Sequence, residues 1–255
     1  MAVLAAIVWD VDGTLAETER DGHRVAFNLA FEAFGLPWRW DERRYGDLLR
    51  VTGGRERLLA DMAAHVDAPA GAGERERLAA ALHARKNTIY AEQLRSEGIA
   101  LRGGVAALIE QARERGLRQA IATTTSRSNL DALLRLHYGA QWHQRFGAVV
   151  CGEDVRRKKP DPEAHLQCLR LLSLDARRAV AIEDSPMGAA AAHAAGLPVV
   201  LARSCYFADA EAGPAVAAGP GLHTRCGWEP MARRGERDGP ITLEDIEAWY
   251  LTRGR

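Results

Sequence analysis

The chain has 255 residues, 47% of them hydrophobic, and 34 lysines and arginines balance 34 aspartates and glutamates. That balance leaves no global basic field to recruit nucleic acid, and no apolar run approaches the roughly 18 residues that a membrane span requires. The four cysteines, Cys151, Cys168, Cys205 and Cys226, show neither metal-ligand spacing nor a dense disulfide pattern, so buried or incidental thiols of a cytoplasmic protein are expected.

The first element is Ala5-Ala6-Ile7-Val8-Trp9, an apolar run that meets Asp10-Val11-Asp12-Gly13. It reads as a parallel strand buried on both faces, ending in a glycine turn. The segment before Asp10 is short and lacks a basic start, which favours a strand over a signal peptide. Strand signals then stop. Phe27, Leu29, Ala30, Phe34, Leu48, Leu49, Leu58, Leu59 and Met62 recur at helical intervals, Ala68–Gly73 reads as a loop, and Glu74–Leu94 is helical again. The pattern predicts an all-helical unit over residues 16–96, inserted into a core formed by 1–15 and 97–255.

Alternation follows. Val105, Leu108, Ile109 and Ala112 mark a helix face closed by Gly116, and Leu117–Thr123 is a strand. Ser126 or Ser128 opens a helix through Leu136, Phe146–Cys151 is a strand, and Asp161-Pro162 starts a helix through Leu172. Ala179–Ile182 is a strand ending at Glu183-Asp184, a helix runs through Ala195, and Pro198–Leu201 is a further strand. From Gly213 to about Pro240 the chain reads as irregular, and Leu243–Tyr250 as a terminal helix, with Trp228 and Trp249 packing on the core. Strands alternating with helices of this length predict an α/β fold with a Rossmann-like, parallel, doubly wound sheet.

Four strand ends carry polar residues: Asp10 and Asp12, Thr123, Lys159 beyond Cys151, and Glu183 with Asp184. In a parallel sheet these ends open on one crevice. Each also has a local explanation: Thr123 as a cap, Lys158 and Lys159 as a solvated basic turn after Arg156 and Arg157, Glu183-Asp184-Ser185-Pro186 as a helix start. Their convergence favours phosphoryl transfer, where an anionic ester demands positioning and charge neutralisation. Asp10 is then the nucleophile and Asp12 the acid and base. Thr123 donates to a phosphate oxygen, and Lys159 neutralises charge and keeps Asp10 ionised. Mg2+ is the expected cofactor, with Asp10, Asp12, Glu183 and Asp184 as ligands.

Asp10-Val11-Asp12-Gly13-Thr14, Thr123, Lys159-Pro160 and Glu183-Asp184 resemble, in order, the four motifs of the haloacid dehalogenase superfamily. The helical insert resembles its small C1-type cap. Glu17 to Arg24, Ala26-Phe27-Asn28, Trp40-Asp41, Tyr45 to Leu49, Gly53 to Arg57, Ala122 to Ser126, Arg203 and Tyr206-Phe207 resemble the CbbY type. Trp9 stands where phenylalanine is common, and Arg55 where lysine is usual. The resemblance implies a magnesium-dependent phosphatase that hydrolyses xylulose-1,5-bisphosphate, an inhibitor of Rubisco, and acts as a monomer on a small-molecule sugar phosphate. Glu17, His23, Arg24, Arg55, Arg57 and Thr124 are the expected substrate contacts, the cap cations facing the second phosphate. Thr14–Thr18 and Gly98–Gly103 are the two crossings at which the cap would hinge. A β-phosphoglucomutase-like mutase, a phosphatase of other specificity such as a phosphoglycolate-like one, and a non-catalytic phosphosugar-binding protein remain as alternatives.

Overall fold

The structure, a computed structural model, describes residues 3–232 and 239–252. Six short strands form one sheet: β1 (Ala6–Trp9), β2 (Arg118–Ala122), β3 (Ala148–Val150), β4 (Ala179–Glu183), β5 (Val199–Ala202) and β6 (Ala217–Gly219). Their order is β3-β2-β1-β4-β5-β6, and every neighbouring pair is parallel. The strands are buried on both faces, and side chains alternate between two cores, as a period of two requires. Ala6, Val8, Ala120, Ala122 and Ala181 belong to one. Ile7, Trp9, Ile121, Val180 and Ile182 belong to the other.

The alanine-rich face lets helices approach closely, and α7 (Glu163–Leu172) and α8 (Pro186–Ala194) lie on it. The bulkier face is covered by α5 (Val105–Glu114), α6 (Arg127–Tyr138) and the terminal α9 (Leu243–Thr252). Buried Trp9 is satisfied there, its Nε1 donating to Gln119 Oε1 at 3.0 Å. Helix α7 begins at Glu163, a residue later than expected, yet Asp161 Oδ1 still accepts from the Glu163 amide at 3.0 Å.

The segment expected to be irregular holds the sixth strand. Trp228 lies over it and stacks on Trp249 with ring centroids 4.6 Å apart, so both tryptophans pack on the core as expected. A Cβ at Gly219 would collide with the Trp228 indole, which is why this strand ends in a residue without a side chain. Cys151 and Cys168 are buried, Cys205 and Cys226 exposed, and all four are free.

Between β1 and α5 lie four helices: α1 (Arg24–Ala33), α2 (Glu42–Leu48), α3 (Gly54–Met62) and α4 (Ala72–Ser96). A wide π-type turn, Glu19–His23, leads into α1. Phe27, Phe31, Trp38, Trp40 and Tyr45 form their aromatic interior, and Asp61, buried beside it, accepts from Trp40 Nε1, His65 and Arg44. Helix α4 packs on both α1 and α6, so the helical layer rests on the sheet layer. The two crossings run side by side: Ala16 bridges Leu101 in antiparallel fashion and the Arg102 amide donates to Leu15 O at 2.8 Å.

Candidate active site

Register brings the acidic residues together. The β1–β4 pairing continues one residue past the strand, the Asp10 amide donating to Ile182 O at 3.0 Å, so Asp10 lies abreast of Glu183 and Asp184. The turn that follows is tight. Gly13 has φ 85°, and a methyl group there would strike the Asp184 carboxylate. On the far side the Ser185 hydroxyl caps α8, accepting from the Gly188 amide at 3.2 Å, which leaves Glu183 and Asp184 free for the crevice. Thr123 continues β2, its amide bonded to Val150 O at 3.0 Å.

Asp10, Glu183 and Asp184 each present an oxygen within 4.8 Å of the others. Lys159 is buried against them, Nζ donating to Asp10 Oδ1 and to Glu183 Oε1 at 2.7 Å each. Lys158, beside it in sequence, instead reaches Glu56 on α3 at 2.7 Å. Thr14 Oγ1 holds the other Asp10 oxygen at 3.1 Å, and His165 Nε2 meets Glu183 Oε1 at 2.9 Å.

One lysine cannot neutralise three buried carboxylates. Burial pushes Asp10 up to about 7, with Lys159 opposing and Glu183 adding to the rise. Burial and the Asp10 charge likewise raise Asp184 well above the ordinary carboxylate range. Glu183 stays low, because Lys159 and His165 outweigh its burial. The donor set is all hard oxygen, and Glu183 Oε2 is buried without a partner. Such a set fits a divalent cation of the Mg2+ type, whose charge would settle the imbalance.

Asp12, expected among the metal ligands, is directed elsewhere. Its Oδ1 accepts from Thr18 Oγ1 at 2.6 Å and pairs with His23 Nε2 at 3.0 Å, while His23 Nδ1 meets Lys86 Nζ at 2.9 Å. A carboxylate only accepts and an ammonium only donates, so the imidazole donates through Nε2 and accepts through Nδ1. Against its burial, His23 and Thr18 hold Asp12 well below the ordinary range. Gly22 makes room for this arrangement, since a Cβ there would strike the Tyr90 ring that packs on His23.

Two chambers meet at Asp12. The inner one opens on Asp10, Thr123, Lys159 and Asp184. The outer one is lined by His23, Arg57, His83, Lys86, Lys158 and Asn129 among others. Asp12, Glu19, Arg57 and Thr124 line both. Burial lowers Lys86 to about 8 and His83 to about 4, with Lys86 also pushing on His83. Arg57 is anchored, Nη1 donating to Tyr45 Oη at 2.7 Å with Glu19 at 3.5 Å.

Of the expected substrate contacts, His23, Arg57 and Thr124 face the chambers, whereas Glu17, Arg24 and Arg55 line neither. Glu17 pairs with Arg102 at 3.1 Å, Arg24 with Glu42 at 3.5 Å, and Arg55 with exposed Glu76. Each of the three faces an opposite charge instead of a chamber. Sequence reasoning missed Lys86, His83, Lys158 and Glu19. Only Lys86 carried a signal, because it falls on the buried stripe of Ala79, Leu82, Ile89 and Tyr90 along α4, where a lysine demands a partner.

Residues 4–196 match the haloacid dehalogenase-like hydrolases, and the chain belongs to that family. Within it the relatives include CbbY proteins and a phosphorylated carbohydrates phosphatase of Thermotoga maritima, the latter 29% identical over 76% of this chain and 82% of its own. The chain is 40% identical to CbbY of Cupriavidus necator over 247 residues, 97% of each chain. Among solved structures it resembles CbbY from Rhodobacter sphaeroides in complex with phosphate, with TM-score 0.78 and 39% identity over 84% of this chain and 92% of that one. A D10N mutant of the same CbbY, in complex with xylulose-1,5-bisphosphate, matches with TM-score 0.77 and 38% identity, again over 84% and 92%. Family, relatives and site make the chain a phosphatase that acts on sugar phosphates.

Proposed function

We propose that this phosphatase hydrolyses xylulose-1,5-bisphosphate to xylulose 5-phosphate, clearing an inhibitor of Rubisco. One observation carries the reading: an inner chamber with a nucleophile and an acidic, cation-type cradle joins, at Asp12, an outer chamber rich in cationic groups. A bisphosphate has two anionic ends, and the two chambers offer each a partner. Likeness to a CbbY in complex with xylulose-1,5-bisphosphate supports that particular sugar. No helix among the described residues is long and apolar enough to cross a membrane, and a cytoplasmic monomer suits a small-molecule substrate.

Asp10, Glu183 and Asp184 would hold the Mg2+, which supplies charge neutralisation at the transferring phosphoryl group when bound. Lys159 and Thr14 fix the two Asp10 oxygens, aiming the carboxylate for attack on phosphorus. Thr123 Oγ1 accepts from the Thr125 amide at 3.2 Å, so its own proton is free for a phosphate oxygen. As the phosphorus–oxygen bond to the sugar breaks, Asp12 gives the leaving oxygen a proton. It regains one from the water that then attacks the aspartyl-phosphate. A phosphate dianion beside Asp12 favours that proton, against the pull of His23 and Thr18.

The deciding experiment measures phosphate release with Mg2+ from xylulose-1,5-bisphosphate, ribulose-1,5-bisphosphate, fructose-1,6-bisphosphate and β-glucose 1-phosphate, with Asp10→Asn as control. Preference for the first, lost in the variant, is expected. Preference for another ester sinks the proposed substrate, and rearrangement without phosphate release would mark a mutase.

A further inference from the structure

One guanidinium outside both chambers ties the catalytic turn to the metal cradle. Arg102 lies on the second crossing, 11% exposed at the side chain. Nη1 donates to Gly13 O and, at 2.8 Å, to Ala202 O; Nη2 donates to Arg203 O at 2.5 Å and to Pro220 O at 3.3 Å; and Nε faces Glu17 Oε1 at 3.1 Å. Two of those carbonyls immediately precede Ser204 and a third belongs to Gly13. A Cβ on Gly13 would touch both the Asp184 carboxylate and, at 3.1 Å, Ser204 Cβ. Asp184 is thus enclosed between two backbone segments, and Arg102 is the group that holds both.

We infer that Arg102, with Glu17 as its counter-ion, is a positioning residue that sets the geometry of the Asp184 side of the metal cradle and of the Asp10–Gly13 turn. The inference rests on the phosphatase reading for its kinetic consequences, but its binding consequence stands alone. Glu17, expected from resemblance to touch substrate, acts instead through Arg102. Lysine cannot replace the guanidinium, because a single ammonium lacks the planar fork that reaches carbonyls on several segments at once.

The test compares wild type, Arg102→Lys and Glu17→Gln. Metal affinity is read with Mn2+ alone, from the loss of its free EPR signal, and beside it kcat and KM for phosphate release with Mg2+, and the melting temperature. Residues that orient metal ligands typically change affinity or activity about 10–100-fold when replaced. Arg102→Lys is expected to weaken Mn2+ binding and lower kcat within that range, with KM changed less than about threefold on the same grounds. Glu17→Gln, which keeps all four carbonyl bonds, is expected to show a smaller loss of the same kind. A lower melting temperature with unchanged Mn2+ affinity and kcat would make Arg102 merely structural and overturn the inference. If Arg102→Lys fails to fold, Glu17→Gln decides, and unchanged Mn2+ affinity there is fatal. Absence of phosphatase activity in wild type would sink the proposed function while leaving the Mn2+ comparison to judge Arg102.

Discussion

Replacing Lys159 by methionine removes the ammonium that bridges Asp10 and Glu183 and keeps a side chain of similar length. Glu183 is the better gauge of the damage, being 1% exposed and held below its ordinary 4.5 by Lys159 and His165 against its burial. A carboxyl depressed in the folded state contributes stability above its unfolded value, and that contribution is lost as pH falls through the folded one. Without Lys159 the sign reverses, since burial then dominates and Glu183 must take up a proton to fold. Each pH unit above 4.5 adds about 1.4 kcal/mol to that cost, which comes to about 3.5 kcal/mol at pH 7 and about 1.4 kcal/mol at pH 5.5. The first figure falls within the roughly 3–5 kcal/mol expected when one partner of a buried ion pair is deleted. Urea unfolding of both proteins without added metal, followed by tryptophan fluorescence at the two pH values, measures the difference. A penalty independent of pH, or below about 1 kcal/mol at pH 7, would refute the account of Lys159 as the neutraliser of Glu183.

Metal binding should itself depend on pH: Asp10 is raised to about 7 by burial, so protons compete with Mg2+ below that value. The Mg2+ concentration for half-maximal activity should rise as pH falls from 8 to 6, and a flat profile would contradict the placement of Asp10 in the cradle. Chelation with EDTA should abolish turnover and added Mg2+ restore it; activity that survives exhaustive chelation would remove the metal from the scheme. Gly188→Ala drives a methyl into Glu183 Oε2 and should cost about 1–3 kcal/mol by thermal unfolding, with near-wild-type stability as the contrary result. Arg55→Ala should leave kcat/KM for a bisphosphate within about twofold, because Arg55 lines neither chamber and sits in an exposed ion pair with Glu76, and exposed pairs contribute little. Lys86→Met, by contrast, should lower it at least about tenfold, the scale of losing one charge-assisted bond, and the reverse ranking would relocate the cationic subsite.

The core was legible because its signals are local and repeated. Apolar runs ending at Asp10, Thr123 and Glu183 are strands whichever way the chain turns afterwards, and parallel pairing then forces their ends into one crevice. Ala217–Gly219 escaped because three small residues carry no β-branched signal; the strand exists through pairing with β5 and the cover of Trp228. The cap was legible as helices but not as a binding surface. Helical periodicity gives the face a residue occupies, not which opposite charge it finds, so Arg24 and Arg55 read the same as Arg57. Asp12 shows the limit most sharply. Two positions after Asp10, beyond the strand end, its orientation is set by Thr18, His23 and Lys86, and the last of these joins only once α4 packs against the Glu19–His23 turn.

The pairing of Ala16 with Leu101 has a consequence for how such proteins change. Everything between these residues leaves and re-enters the core through this one paired crossing, so for chain closure at the sheet it is equivalent to a short loop. Its further contacts with the core include the packing of α4 on α6 and the reach of Thr52 and Glu56 to Lys159 and Lys158. Loop-closure entropy grows only slowly with length, and the core scarcely registers how much chain is hung there. The reaction and the choice of substrate can therefore vary on separate schedules: transplanting another helical unit between these anchors would bring new cations to the sugar while Asp10 and Asp184, held by the sheet, keep their frame.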